Sequence, residues 1–339
     1  MYNALCVYKK THTRTRNKEE KPLIEVKNLV KKYGNHVAVN DLSFKIEKGR
    51  IYGFLGPNGA GKSTTMNIIT GYLAATSGQV IVNGHDIYEE PEEAKKSIGY
   101  LPEIPPLYMD MTPREYLSFS ADLKGLTKKE RAEQFKDIAK LTGIEDVMDR
   151  LIKNLSKGYR QRVGLAQAIL GYPEVIILDE PTVGLDPKQI VEIRDVIKGL
   201  SKKHTVILST HIMQEVSAVC DEVIIIAHGE LVARDTPNNL GKHVSGSNTI
   251  EIVVKAPDYK VKAILNKMND VTKFEVHSDT EEECTRALVS TGVEKDLRED
   301  IFYAFATSKC PIVGMSYSNT SLEDVFIKVT SGKQTDRRN

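Results

Sequence analysis

A glycine-rich segment at residues 56–64 constrains this chain more than any other part of its sequence. It reads Gly-Pro-Asn-Gly-Ala-Gly-Lys-Ser-Thr, which matches the phosphate-binding P-loop pattern of Gly, four residues, Gly-Lys-Ser. The run at residues 49–55 predicts a buried strand opened by a turn glycine, and residues 64–70 predict the first turns of a helix. The motif therefore has the strand–loop–helix context that it requires, which disfavours an incidental glycine-rich turn.

The chemistry expected of this segment follows from its backbone. Glycines let successive N–H groups point inward, and the N-terminus of the following helix adds a partial positive charge. We expect Lys62 to reach the outer phosphates and the Ser63 hydroxyl to hold a magnesium ion. The predicted phosphate-binding residues are Asn58, Gly59, Ala60, Gly61, Lys62, Ser63 and Thr64.

The composition excludes several other classes of protein. The chain has 339 residues, enough for two domains, and its formal net charge of +1 favours neither nucleic acid nor an anionic membrane as a partner. Four scattered cysteines predict reduced thiols rather than a disulfide or zinc framework. The apolar runs are too short to span a bilayer, and residues 1–21 lack the apolar segment of a signal peptide. If the protein acts at a membrane, we expect another chain to supply the spans.

The chain before the glycine-rich segment predicts a tail followed by antiparallel strands. Residues 1–22 are polar and basic, which predicts a disordered tail. Alternating apolar residues at 23–29 and 42–47 predict half-buried antiparallel strands. Between them lies Tyr33, for which two roles stay open: its ring could stack on a purine base or pack beneath its own hairpin.

A helical region interrupts this α/β pattern. Residues 112–115 and 127–130 read as capping boxes, so residues 113–153 predict an all-helical insertion. Ser156 then suits the N-cap of a helix whose residues 162–170 are amphipathic.

Two carboxylates follow a short apolar run, Val-Ile-Ile-Leu, at residues 175–178. A run this apolar predicts a parallel strand covered on both faces, and ligands bind at the carboxyl ends of such strands. We therefore expect Asp179 in a magnesium shell and Glu180 as a general base on water, rather than two ordinary surface acids. His211 ends another predicted strand; a lone histidine is more often structural, but this position favours a role beside the phosphates.

In their order along the chain, these motifs resemble those of the nucleotide-binding subunits of ABC transporters. Residues 56–64 match Walker A, 155–161 the family signature, 175–180 Walker B with its glutamate, 184–186 the D-loop, and His211 the switch histidine. A P-loop alone occurs in many NTPases. A signature between the P-loop and Walker B, after a helical insertion, is specific to this family.

The resemblance implies an α/β P-loop NTPase cassette at residues 23–236. This cassette would have a mixed sheet core, an antiparallel β subdomain and a helical subdomain at about 104–170. Residues 237–248 are linker-like in composition. Residues 249–339 predict a small C-terminal α+β domain whose order of strands and helices matches a ferredoxin-like unit, with a terminal helix at 321–330.

The resemblance also implies catalytic roles for residues of one chain. Lys62 and His211 would contact the γ-phosphate of ATP, Glu180 would polarise the attacking water, and Tyr33 would stack on adenine. ATP and Mg²⁺ are the implied cofactors.

A second set of residues would act on the nucleotide of a partner cassette. Two cassettes are expected to sandwich two ATP molecules head to tail, so that Ser156, Gly158 and Asp186 reach the partner's ATP in trans.

The sequence departs from the family pattern at two places. Glu103 stands where a magnesium-contacting glutamine is usual, and a carboxylate there can still bind magnesium through water. The signature reads Ser-Lys-Gly-Tyr instead of Ser-Gly-Gly-Gln, so Ser156 and Gly158 are kept while Lys157 and Tyr159 differ.

These implications lead to one principal functional hypothesis and two alternatives. The principal one is an ATPase motor for an ABC exporter, at the inner face of the cell membrane, with a multi-span permease and a second cassette as partners and no nucleic acid. A soluble ABC ATPase acting on a ribosome or DNA is the first alternative, disfavoured by the single P-loop and by the lack of heptad insertions. A non-hydrolysing binder is the second, disfavoured by intact Lys62, Asp179, Glu180 and His211.

Overall fold

The computed structural model describes residues 21–237, 239–240, 248–279, 284–291 and 296–318. Its central sheet is built from β3 (Ile51–Leu55), β6 (Ile98–Leu101), β7 (Val175–Asp179), β8 (Thr205–Thr210), β9 (Glu222–Ala227) and β10 (Glu230–Asp235). These strands lie in the order β10-β9-β3-β8-β7-β6. Neighbours are parallel except for β9 and β10, which form an antiparallel hairpin. The predicted mixed sheet is confirmed.

Two inner strands of this sheet, β3 and β7, are buried along their whole length. Every residue of β3 and of β7 is buried, as expected for parallel strands covered on both faces. Along β7, Ile176 and Leu178 belong to one apolar core, while Val175 and Ile177 belong to the core on the other face. Alternate side chains thus anchor the sheet to two different layers.

Most of the described helices cover the face of the sheet to which Ile176 and Leu178 point. The helices of this part of the chain are α1 (Lys62–Ile69), α2 (Pro91–Lys96), α3 (Pro113–Leu123), α4 (Lys128–Thr142), α5 (Lys157–Ile169), α6 (Pro187–Leu200) and α7 (Met213–Val219), with 3₁₀ turns at Glu145–Val147 and Ile152–Asn154. Both predicted capping boxes form: Thr112 Oγ1 accepts from Glu115 N at 3.2 Å, and Thr127 Oγ1 from Glu130 N at 3.4 Å. The all-helical insertion is confirmed.

A four-stranded antiparallel sheet covers the other face. Its strands are β1 (Ile24–Tyr33), β2 (His36–Ile46), β4 (Ser77–Val82) and β5 (His85–Asp86), in the order β2-β1-β4-β5. The two predicted strands are longer than expected, and β1 continues up to Tyr33, which pairs with His36 across the hairpin. Through Gly229, β2 is linked to the glycine-rich loop: Gly229 N–H donates to Ala60 O, and Asn40 N–H of β2 donates to Gly229 O.

The C-terminal part has a sheet and an apolar core of its own. Its elements are β11 (Asn248–Val254), α8 (Asp258–Leu265), β12 (Val271–Asp279), β13 (Cys284–Thr291), α9 (Arg298–Thr307) and β14 (Ile312–Ser318). The strands lie in the order β12-β13-β11-β14, and all neighbours are antiparallel. Val261 of α8 and Phe305 of α9 are fully buried against Ile252 and Val289 of the sheet. The predicted succession of strands and helices is correct here.

Some sequence predictions fall partly or wholly outside the described residues. These are the tail, of which only residues 21 and 22 are described, the terminal helix at 321–330, and most of the linker. At the start of that linker, Leu240 is 3% exposed and belongs to the apolar core of the helical face. No helix within the described ranges has the length and apolar character that a bilayer crossing requires.

We predict that Gly99→Ala destabilises the protein by about 2 kcal/mol. A Cβ at Gly99 in β6 would overlap the backbone carbonyl oxygen of Ala168, which a side-chain rotation cannot relieve. Gly199→Ala in α6 is the matched control, because its Cβ would approach only Leu141 Cδ1, at 3.3 Å. A helical Gly→Ala change there should be neutral or stabilise by up to about 1 kcal/mol. Thermal denaturation of both variants tests this, and equal melting temperatures would contradict the predicted contact.

Candidate nucleotide-phosphate site

The glycine-rich loop runs from the end of β3 into the N-terminus of α1. Gly61, the N-cap residue, has φ 98° and offers no side chain to cap the helix. The first N–H groups of α1 therefore have no capping side chain, and such groups form a natural anion site. The sequence prediction of strand, loop and helix is confirmed.

Two glycines in this loop are required by close backbone packing. A Cβ at Gly56 would lie 2.6 Å from the carbonyl oxygen of Ile226, and one at Gly61 would lie 2.5 Å from that of Ala38. Gly61 also has a positive φ, which L residues with side chains adopt at a cost. The loop thus keeps its curled shape because β2, at Ala38, and β9, at Ile226, pack against it on two sides.

Lys62 places its ammonium group between the loop and the carboxylates. Its side chain is 6% exposed, and Nζ donates to Gly56 O at 2.8 Å and Pro57 O at 3.3 Å. Glu180 Oε1 lies 3.7 Å from Nζ. Burial lowers the pKa of Lys62, and the negative charges of Glu180 and Asp179 oppose that shift.

Asp179 ends β7 and is buried beside the loop. It is 3% exposed, and its Oδ1 is a buried oxygen for which the described residues offer no hydrogen-bond partner. Burial raises the pKa of this carboxyl, and the Ser209 and Ser63 hydroxyls only partly oppose the rise. A carboxylate this poorly satisfied gains from a cation.

These residues fit a magnesium ion. Mg²⁺ is commonly held by one or two protein oxygens together with substrate phosphates, rather than by an all-protein cage. The described residues contain no group of three or more His, Cys, Asp or Glu side chains that could hold a metal alone. Asp179 and the Ser63 hydroxyl would be the protein ligands, and the ion would neutralise phosphate charge.

Glu180 and His211 are brought together at the ends of β7 and β8. Glu180 is 6% exposed and has the unusual φ of 48°, fixed by its N–H donating to Ser209 O at 2.8 Å. His211 Nδ1 lies 2.9 and 3.0 Å from the two carboxylate oxygens. The alternative of two ordinary surface acids is wrong, because both Asp179 and Glu180 are buried.

A single cavity collects most of the residues predicted for one chain. Tyr33 stands at this cavity with its side chain well exposed, at 47%, so the ring does not pack beneath its hairpin; Lys31 Nζ lies 5.1 Å from the ring centroid. Ala60, at 2% exposed, and Asp179, at 3%, are buried and are not part of the lining. The lining comprises Tyr33, His36, Ala38, Asn58, Gly59, Gly61, Lys62, Ser63, Thr64, Glu103, Glu180, Val183 and His211.

Sequence reasoning missed three of these lining residues. His36 and Ala38 lie at the start of β2, where the hairpin register pairs His36 with Tyr33, and a two-residue Gly-Asn turn could have signalled that hairpin. Val183 follows Glu180 in the turn before α6. Nothing in the sequence separates Val183 from an ordinary turn residue.

The residues predicted to act in trans lie elsewhere, but close to one another. Ser156 caps α5, accepting from Tyr159 N at 3.3 Å, which leaves its hydroxyl proton for an outside acceptor. Asp186 caps α6, accepting from Gln189 N at 2.9 Å. A Cβ at Gly158 would lie 2.8 Å from the Gln189 side chain. The two helix starts are therefore adjacent, and neither contributes to the cavity lined by Lys62.

The geometry of the cavity suits hydrolysis of a phosphoanhydride. Backbone N–H groups and Lys62 can bind phosphate oxygens, Asp179 can hold the metal, and Glu180 is a buried carboxylate facing the same space. A carboxylate in that place can orient water toward the last phosphate. His211 can hold Glu180 in position and contact the phosphate itself.

Comparisons with known proteins agree with this geometry. The sequence model of the family described as "ABC transporter" matches residues 39–183. The bacitracin transport ATP-binding protein BcrA of Bacillus licheniformis is 33% identical over 313 residues, covering 91% of this chain and 98% of BcrA.

Two solved structures show the same fold. One is CbiO1 of Clostridium perfringens, part of the ABC transporter complex CbiONQ. The match has 28% identity and a TM-score of 0.60, and it covers 74% of this chain and 95% of CbiO1. The dimeric post-hydrolysis cassette MJ0796 bound to ADP and Pi has 25% identity and a TM-score of 0.57, over 63% of this chain and 98% of that one.

We predict opposite effects of Asp179→Asn on the free and the ligand-bound protein. Because burial raises the pKa of Asp179, its ionised form costs stability at neutral pH, and this cost vanishes as acid protonates the carboxyl. The amide should therefore raise the melting temperature of the free protein at pH 7, and less so in acid. Stabilisation by Mg²⁺ and ATP, about 2.7 kcal/mol at one hundred times Kd, should be lost.

The measurement is thermal denaturation of wild type and variant, with and without Mg²⁺ and ATP. Asp137→Asn, at an exposed acid of α4, is the control and should keep the ligand-induced shift. A variant that still responds fully to Mg²⁺ and ATP would remove Asp179 from the metal site.

Proposed function

This chain belongs to the ABC transporter ATP-binding family, and from that premise we propose that it is the ATPase motor of an exporter whose membrane spans are separate chains. ATP binding and hydrolysis are properties of the family to which its relatives belong. The single observation that carries the proposal is the buried cluster of Lys62, Asp179 and Glu180 beside one cavity, with His211 bonded to Glu180.

Within one chain, the proposed role of each residue is based on distances and burial. Lys62 and the N–H groups of α1 bind the terminal phosphates, while Asp179 and Ser63 hold magnesium. Glu180 accepts a proton from the attacking water, and His211, 2.9 Å from that carboxylate, fixes its orientation. The exposed Tyr33 ring stacks on adenine.

Catalysis is proposed to require two cassettes. Ser156, Gly158 and Asp186 lie together but away from the cavity of their own chain, so a second copy or a related cassette would bring them to the γ-phosphate. The Ser156 hydroxyl, whose oxygen already accepts from Tyr159 N–H, would donate its proton to that phosphate. The dimeric state of the similar cassette MJ0796 supports this arrangement.

The membrane partner is proposed to bind beside the loop that follows β6. Glu103 in that loop lines the cavity and its charge acts on Lys62, so movement there reaches the phosphates. The neighbouring surface carries exposed apolar side chains, which favour a protein contact: Ile104, Tyr108, Met109, Phe119 and Leu123. CbiO1, part of the complex CbiONQ, supports a multi-chain assembly.

Direction, location and domain roles complete the proposal. The similarity to BcrA, a bacitracin transport protein, supports export, and the cassette would act at the cytoplasmic face of the membrane through its partner. None of the relatives named above favours action on a ribosome or DNA. The antiparallel order β12-β13-β11-β14 supports a ferredoxin-like accessory domain at residues 249–339, joined by a linker at 237–248 to a cassette at 23–236.

Glu180→Gln tests the hydrolytic role. Losing the base should lower steady-state ATP hydrolysis by about 10²- to 10⁴-fold, while ATP binding persists and a dimer accumulates. Phosphate release and size-exclusion chromatography with Mg²⁺ and ATP measure these effects. Glu47→Gln, a change at a side chain 63% exposed, is the control and should behave as wild type. Normal turnover by Glu180→Gln would exclude the proposed base.

Tyr108→Asp tests the proposed partner surface. The Tyr108 ring lies 5.5 Å from the Phe119 ring, centroid to centroid. A charge in place of the Tyr108 ring should weaken co-purification with the membrane partner by at least about 10-fold, with no effect on ATP binding. Tyr259→Asp, at a 64% exposed side chain of α8, is the matched control. Equal recovery of a multi-span protein with both variants would place the contact elsewhere.

A further inference from the structure

A third buried carboxylate, Glu215, lies near the proposed base Glu180. Glu215 is on α7 and is only 1% exposed. It does not line the phosphate cavity, and none of the roles above uses it. A buried carboxylate must be satisfied by donors, because leaving one unpaired costs several times the energy of an ordinary hydrogen bond.

Two threonine hydroxyls supply those donors. Thr182 Oγ1 donates to Glu215 Oε1 in a short hydrogen bond, and Thr210 Oγ1 lies 3.2 Å from Glu215 Oε2. Thr182 and Thr210 are both buried. One belongs to the turn after Glu180, and the other ends β8 next to His211.

Thr210 is also within reach of the proposed base. Its Oγ1 lies 3.3 Å from Glu180 Oε2 and accepts from Ile212 N at 3.1 Å. A hydroxyl has one proton to donate. Thr210 can therefore serve Glu180 or Glu215 fully, but not both at once.

We propose that Glu215 is a positioning residue that makes the orientation of Glu180 depend on the turn at residues 181–186. With Thr182 seated on Glu215, the buried charge is partly satisfied and Thr210 donates to Glu180. When the turn moves and the Thr182 hydroxyl no longer donates to Glu215, the Thr210 hydroxyl donates its hydrogen bond to Glu215 instead. Glu180 then loses a donor that orients its carboxylate.

The turn at residues 181–186 lies between Glu180 and the proposed contact surface of a partner, so binding of a partner could change its position. It is built on Glu180 itself, since Val183 N–H donates to Glu180 O at 3.3 Å, and it ends at Asp186, the N-cap of α6. The Lys157 ammonium lies against Gly184. The inference rests on the proposed function in one respect: a second cassette at Asp186 and the start of α5 would hold the turn in the position seen here, with Thr182 bonded to Glu215.

The test is a set of isosteric variants of the full-length chain, assayed for ATP hydrolysis with Mg²⁺. Thr182→Val should lower kcat by about 10-fold, the effect of losing one hydrogen bond to a charged group, with KM for ATP unchanged. Thr210→Val should do the same, and Thr182→Ser and Thr210→Ser should restore kcat. Thr142→Val, which removes a buried hydroxyl of α4 bonded to Ile138 O, is the control and should leave kcat unchanged.

The decisive measurement combines Thr182→Val with Glu215→Gln. In the proposal, a Glu215 carboxylate that has lost Thr182 competes with Glu180 for the hydrogen bond of the Thr210 hydroxyl. The neutral amide of Glu215→Gln is a weaker acceptor, so the double variant should keep the kcat of Glu215→Gln alone. Effects that multiply, serine variants that fail to restore kcat, or a KM that changes together with kcat would overturn the proposal. If Glu215→Gln does not fold, non-additivity between Thr182→Val and Thr210→Val carries the same test.

The outcome is distinguishable from failure of the proposed function. Wild-type hydrolysis that Glu180→Gln abolishes establishes the base independently of Glu215. If the wild type hydrolyses ATP and the effects of Thr182→Val and Glu215→Gln on kcat multiply, the positioning role of Glu215 is rejected while the proposed ATPase function stands.

Discussion

The parallel pairing of β3, β8 and β7 is the constraint on which the site depends. Leu55 lies opposite Thr210 across one pair, and Asp179 opposite Ser209 across the next. The carboxyl ends of the three strands therefore meet at one edge of the sheet. Lys62 follows β3, His211 follows β8 and Glu180 follows β7. Lys62 and His211, both distant from Glu180 in sequence, thus come within 3.7 Å of its carboxylate.

Holding these groups at one edge costs stability. Asp179, Glu180 and Lys62 are all buried, and Glu180 has a left-handed backbone conformation that costs on the order of 1–3 kcal/mol in a non-glycine residue. The surrounding layers offset this cost, because β3 and β7 are buried between two apolar cores. Strain and unsatisfied polarity are thus concentrated where a charged ligand can relieve them.

The polar groups divide into two separate surfaces of the chain. One is the cavity around Lys62, and the other is formed by the adjacent starts of α5 and α6. The turn at residues 181–186 connects them, since it directly follows Glu180 and ends at Asp186, the N-cap of α6. Glu215 joins this turn to β8 through buried hydroxyls. Such a connection suits a site that two chains complete.

The sequence by itself determined the local elements and the identity of the chemical groups. The glycine-rich loop, the capping boxes at Thr112 and Thr127, and the apolar run before Asp179 follow from short-range rules of backbone geometry and periodicity. Only the tertiary structure decided that Tyr33 stands exposed at the cavity, that Ser156 and Asp186 lie together, and that Glu215 shares a hydroxyl with Glu180. Those relations depend on strand register and on packing between elements distant in sequence, and no local pattern encodes them.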